Sequence, residues 1–146
     1  MAKIVLPVFL ICLVVASPEA LASDSVNVYV AVEGFKSGDG LCRLLLFEST
    51  EGFPDSPGEA VTRLSGKIHG QRAVFRFRVR PGRYAIAILH DENSNEEMDQ
   101  TWYGRPTEGF GASNNPKPGF GPPEFEESAV NLDAPNNHLT ITLNYL

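Results

Sequence analysis

Residues 72–91, RAVFRFRVRPGRYAIAILHD, decide the fold. In the first half Ala73, Phe75, Phe77 and Val79 alternate with Arg72, Val74, Arg76, Arg78 and Arg80. Period two with one dry and one wet face is the pattern of a half-buried strand. Pro81-Gly82 is turn chemistry. In the second half Tyr84, Ile86 and Ile88 face one way and Ala85, Ala87 and Leu89 the other. Both faces are apolar, so this strand belongs in the interior, and its small alanines predict close packing of another segment on their side.

Upstream, Val26, Val28, Val30 and Val32 repeat the period of two. Residues 34–40, GFKSGDG, carry an Asp-Gly turn that returns the chain antiparallel. LCRLLLFE, residues 41–48, is apolar almost throughout and reads as a central strand. STEGFPDSPG is turn chemistry, and residues 59–69 read as one irregular strand or two short ones. Downstream, residues 128–132 form a short strand and Pro135-Asn136-Asn137 a turn. Leu139, Ile141, Leu143 and Tyr145 then mark a terminal strand. About seven strands and no helical period predict an all-β fold, a single antiparallel β-sandwich of immunoglobulin-like or transthyretin-like type.

Residues 1–22 read as a secretory signal: Lys3, an apolar run from Ile4 to Ala16, and the small-x-small site Ala20-Leu21-Ala22. The run is shorter than the roughly 20 residues a membrane span needs. The expected mature domain covers residues 23–146, with no membrane span, in the periplasm or outside the cell. Its charge of −6 gives no footing for nucleic acid. Cys42 is then the one remaining cysteine, expected to be a small buried residue without a disulfide.

Beyond the interior strand, Asp91, Glu92, Asn93, Asn95, Glu96, Glu97 and Asp99 crowd together with no basic residue among them. Asp91, Asn93, Asn95 and Asp99 fall at the first, third, fifth and ninth positions of a calcium loop, and the Glu97 carbonyl would supply the seventh. Calcium is therefore the expected cofactor. The sixth position holds Glu96 instead of Gly and the twelfth Trp102 instead of Glu, so Glu92 or Glu108 would complete the shell. The alternative is an Asx-rich turn satisfying its own backbone.

From Gly104 to Phe125 a stretch of 22 residues holds five Gly and five Pro, with Trp102 and Tyr103 just ahead. Loops this long are functional or disordered, and the rings argue for one ordered lid. Trp102, Tyr103, Glu108, Phe110 and Phe120 are its candidate ligand groove. No nucleophile or phosphate-loop motif is present, and His90 reads as packed or hydrogen-bonded.

PGRYAIAILHDENSNEEMD, YGRPTEGFGASNN and GPPEFEESAV together resemble the DUF2141 family of exported bacterial proteins. The resemblance implies an exported β-sandwich and no defined activity. The expected function is thus a non-enzymatic binding or structural module with a calcium-stabilised loop, meeting an envelope or extracellular ligand. Two alternatives stand beside it. One is an envelope glycan hydrolase using Asp91, Asp99 or Glu108; the other is a polyanion binder using the strand from Arg72 to Arg83.

Overall fold

Two sheets pack face to face in the computed structural model, which describes residues 24–146; the expected signal segment lies outside the described residues. In the first sheet β1 (Val26–Glu33) lies between β4 (Arg72–Val79) and β8 (Asn136–Thr142). The second runs β3 (Thr62–Gly66), β2 (Leu41–Phe47), β5 (Gly82–Asp91), β6 (Gly109–Ala112), with β7 (Val130–Leu132) also paired to β5. The valines of β1 and Ala73 and Phe75 of β4 bury against Cys42, Leu44 and Leu46 of β2 and Tyr84, Ile86 and Ile88 of β5. Cys42 sits in that core as expected, and burial pushes its thiol up to about 12.

The alanine side of β5 is covered too. Phe47, Ala85, Ala87 and Phe125 form a second buried cluster with Phe53. Phe53 packs edge-to-face on Phe47 at 5.4 Å and on Phe125 at 5.9 Å. Large rings fit there because alanines leave the room. β5 is therefore dry on both faces, as its sequence requires.

Four expectations are corrected. The sandwich has eight strands among the described residues, and one pair is parallel: β8 runs beside β1 from Asn27↔Asn136 to Glu33↔Thr142. The reason is a crossover. β7 belongs to the other sheet, so residues 133–135 carry the chain across and deliver it alongside β1, where Asn27 N–H donates to the Pro135 carbonyl at 3.0 Å. The residues expected to turn, Asn136 and Asn137, already belong to β8.

The stretch from Gly104 to Phe125 is not one long loop. β6 cuts through it, and a one-turn helix α1 (Phe125–Ser128) closes it, although no helix was expected. β6 reads GFGA, a composition depleted in strands. Its glycine at 109 is needed for packing, because a Cβ there would lie 2.4 Å from the Tyr145 ring.

β6 and β7 run end to end along one edge of β5, and Ser113 joins them. Its hydroxyl accepts from Ile86 N–H at 2.8 Å and donates to the Ser128 carbonyl, standing in for a missing ladder partner. Residues 114–127 are thus an excursion from a single strand position.

Candidate functional site

The end of β5 delivers two buried polar side chains to opposite faces. Asp91 points outward and is fully buried. One carboxylate oxygen accepts from Asn95 N–H at 3.0 Å; the other accepts from Glu96 N–H at 3.0 Å and from Arg43 Nε at 2.9 Å. Those N–H groups point back because Ser94 and Glu96 lie in the left-handed region, at φ 59° and 70°. Arg43 is fixed in turn by Ser65 Oγ at 2.9 Å and Glu96 Oε1 at 3.2 Å.

The amides extend the network. Asn93 Oδ1 accepts from Asn95 N–H at 3.1 Å, and Asn95 Oδ1 accepts from Glu97 N–H at 2.9 Å. Both side-chain NH₂ groups donate to Asp99, Asn93 at 2.6 Å and Asn95 at 2.8 Å. Asn93, Asn95 and Asp99 are thus joined side chain to side chain, and Asp91 joins them through the Asn95 backbone N–H. Glu97 joins through its backbone N–H, with its side chain exposed. Among the described residues no three His, Cys, Asp or Glu side chains are grouped as a metal site. A cation here would rest on two carboxylates, two amides and backbone carbonyls.

Glu108 clamps the loop from its far end. Buried just before β6, it accepts from Glu92 N–H at 2.8 Å with one oxygen and from Asp99 N–H at 3.1 Å with the other. The Glu92 carboxylate meets Lys36 at 2.8 Å, and that bond raises the Lys36 ammonium above its ordinary value. The loop of residues 92–108 forms a finger, whose outer part, residues 99–107, folds back with Thr107 N–H on the Asp99 carbonyl at 2.9 Å and a Gln100↔Pro106 bridge. Thr101 and Arg105 close the tip through bonds of 2.8 and 3.0 Å. Trp102 and Tyr103 sit on that tip, 94% and 60% exposed, their rings edge-to-face at 5.1 Å.

On the inner face His90 ties three segments together. Its Nε2 lies 2.8 Å from the Asp39 carbonyl, which only accepts, so Nε2 carries the proton. Nδ1 then accepts from the Tyr145 hydroxyl at 2.8 Å, and that oxygen accepts from Lys36 N–H at 3.2 Å. Burial pushes the Tyr145 phenol above its ordinary value. Gly40 completes the junction, since a Cβ there would lie 1.9 Å from the Asp91 carbonyl oxygen. His90 is packed and hydrogen-bonded, as the sequence suggested.

The five groove candidates divide three ways. Trp102 and Tyr103 crown the finger and Glu108 lies buried beneath it. Phe110 and Phe120 instead line a shallow cavity of about 290 Å³ with Lys117, Glu127 and Asn144. Asp91 and Glu108 spend both oxygens on N–H donors, so their geometry is that of anchors. Sequence reasoning missed Arg43, Ser113 and Tyr145. Arg43 had a signal, a lone charge within an apolar strand, and Ser113 had its place in the segment YGRPTEGFGASNN; Tyr145 had none.

The family described as "Uncharacterized protein conserved in bacteria (DUF2141)" matches residues 30–140. The chain belongs to the DUF2141 family. No curated protein and no solved structure matches it. In this DUF2141 chain the motif residues His90, Asp91, Glu108, Gly109 and Ser113 are all buried, and each polar one fastens a loop to a strand. The matched region thus includes the anchoring apparatus of the sandwich end, and the exposed rings ride on it. Among the described residues no helix is long and apolar enough to cross a membrane.

Proposed function

We propose that this DUF2141 chain is an exported, non-enzymatic binding module whose working part is the finger of residues 92–108. The observation that carries the reading is the pair of exposed rings, Trp102 and Tyr103, on a loop whose base is fastened by Asp91 and Glu108. Exposed rings on a fastened loop bind without an ordering cost, so contact energy appears as affinity. An immunoglobulin-like or transthyretin-like sandwich, as this reading takes the fold to be, uses its end loops in the same way. The ligand is an envelope or extracellular molecule with a flat apolar face. Export rests on the signal-like pattern of residues 1–22.

Trp102 is the one tryptophan, so its fluorescence reports the site directly. Titration with solubilised envelope glycan fragments should shift the emission, and Trp102→Ala should abolish binding with an unchanged melt. Emission that stays constant across these fragments, with binding intact in the variant, sinks the reading.

Calcium belongs to the same proposal, held by Asp91, Asn93, Asn95, Asp99 and the Glu97 carbonyl. The meeting of Asn93, Asn95 and Asp99 supports it, as does φ 70° at Glu96, the position where such loops want glycine. Binding requires the two amides to turn their oxygens inward. At a Kd of about 10⁻⁴ M, about 10⁻³ M calcium adds about 1.4 kcal/mol. Melts in calcium and in chelator should therefore differ by several degrees; identical melts remove the metal.

A further inference from the structure

The outer faces of the two sheets are treated differently. That of the β5 sheet is covered by Phe53 and Phe125, whereas that of the β4-β1-β8 sheet is open. Its side chains form rows fixed by the registers. Arg72, Glu33 and Thr142 make one row, Val74, Ala31 and Thr140 the next. Then come Arg76, Tyr29 and His138, and finally Arg78, Asn27 and Asn136.

Tyr29 and His138 stack face to face, 4.7 Å apart and 8° from parallel. Arg76 flanks them, exposed and without an ion pair among the described residues. Arg72 spends part of its charge on Glu33 at 3.5 Å, and Arg78 donates to the Ser25 carbonyl at 3.3 Å. Asn27, Tyr29, Arg76 and Arg78 border a shallow depression of about 190 Å³. Glu33 is the one carboxylate in these rows, so the face is cationic in a chain of net charge −6.

We infer that this face is a second binding surface, separate from the finger, and that it takes an acidic polysaccharide. Successive same-face positions on β4 stand about 7 Å apart, so Arg76 and Arg78 present two guanidinium groups along one line. Guanidinium pairs with carboxylate in a bidentate fork. The two rings cover one face of each other, and the outer face left on each offers an apolar surface to the C–H face of a sugar, which a purely electrostatic site does not need. A nucleic acid carries a denser charge, and the acidic remainder of the domain repels it.

The test immobilises polygalacturonate, unsubstituted dextran and single-stranded DNA and measures retention of the mature protein at low salt. Polygalacturonate should bind, weaken as salt rises and exceed both other polymers at least tenfold. Arg76→Gln with Arg78→Gln should weaken binding at least fivefold. Tyr29→Leu and His138→Ala should each weaken it at least threefold with unchanged melts, although Tyr29→Leu leaves the charge untouched. Trp102→Ala should leave it unaltered, which separates this surface from the finger. No retention on polygalacturonate overturns the proposal. So does equal retention on DNA, or full retention by both ring variants, since either outcome reduces the surface to charge alone.

Discussion

Two irregular segments leave the ends of β6, and they are held in opposite ways. The finger of residues 92–108 is fastened through its first half by carboxylates that reach backbone N–H groups at 92, 95, 96 and 99. The excursion of residues 114–127 is held at its two ends, by hydrogen bonds at the neck and by Phe125 in the second buried cluster, and is free of such ties between residues 116 and 123. At the neck Ser113 bridges to Ser128, Asn114 donates to the Glu127 carbonyl at 2.8 Å, and Asn115 bonds β8 at 2.8 and 2.9 Å. Between residues 116 and 123 no hydrogen bond forms among the described residues, and Phe120 is fully exposed. Buried polar anchors fix a loop; proline and glycine only limit its backbone.

The most disruptive way to break this contrast is Asp91→Ala. It strands two loop N–H groups and removes the buried partner of Arg43, at a cost of about 3–5 kcal/mol. Chemical denaturation should show that loss, and hydrogen exchange should show the finger opening while residues 116–123 stay as they were. Ser113→Ala attacks the other neck. Leaving Ile86 N–H without its acceptor should cost about 1–3 kcal/mol, with the finger's protection unchanged.

A smaller effect of opposite sign comes from Glu96→Gly. Glycine at φ 70° relieves roughly 1 kcal/mol of left-handed strain, partly offset by the lost contact with Arg43, so the melting temperature should rise slightly. A lower melting temperature would mean that the Arg43 contact outweighs the strain.

The smallest effect belongs to Arg83 of β5 and Glu126 of α1, which meet at 2.6 Å at the end of the untied residues 116–123. The Arg83 hydrogen bond holds the Glu126 carboxyl below its ordinary value. Its contribution is therefore present above the ordinary carboxylate range and lost as pH falls through the lowered value. Both groups are exposed, so water screens the pair. Acid melts of Glu126→Gln should overlay those of the unchanged protein; a clear separation would show that this pair fastens that end of the excursion.

Much of the scaffold was legible because it repeats. Val26 to Val32 and Ala73 to Val79 announce their faces by period two, and the double apolar character of β5 announces its burial. Ala85 and Ala87 foretold the covering rings without naming Phe53 and Phe125. In the candidate site, the self-bonded acidic turn of Asp91, Asn93, Asn95 and Asp99 was visible because all four lie close together in the chain. The hold of Glu108 on two backbone amides was not legible, since an isolated Glu looks the same whether it meets a cation, a ligand or a backbone amide.

By itself the sequence determined most of the strands, which of their faces are dry and where the acidic turn lies. These are local properties, set by side-chain alternation and short-range spacing. The tertiary structure alone decided that β8 lies parallel to β1 and that a Gly-Phe-Gly-Ala segment is a strand. It also decided that Trp102 and Phe120 stand on different surfaces and that Arg76, Tyr29 and His138 share a row. Each of these depends on which distant segments become neighbours, and that follows from burying both faces of β5 at once.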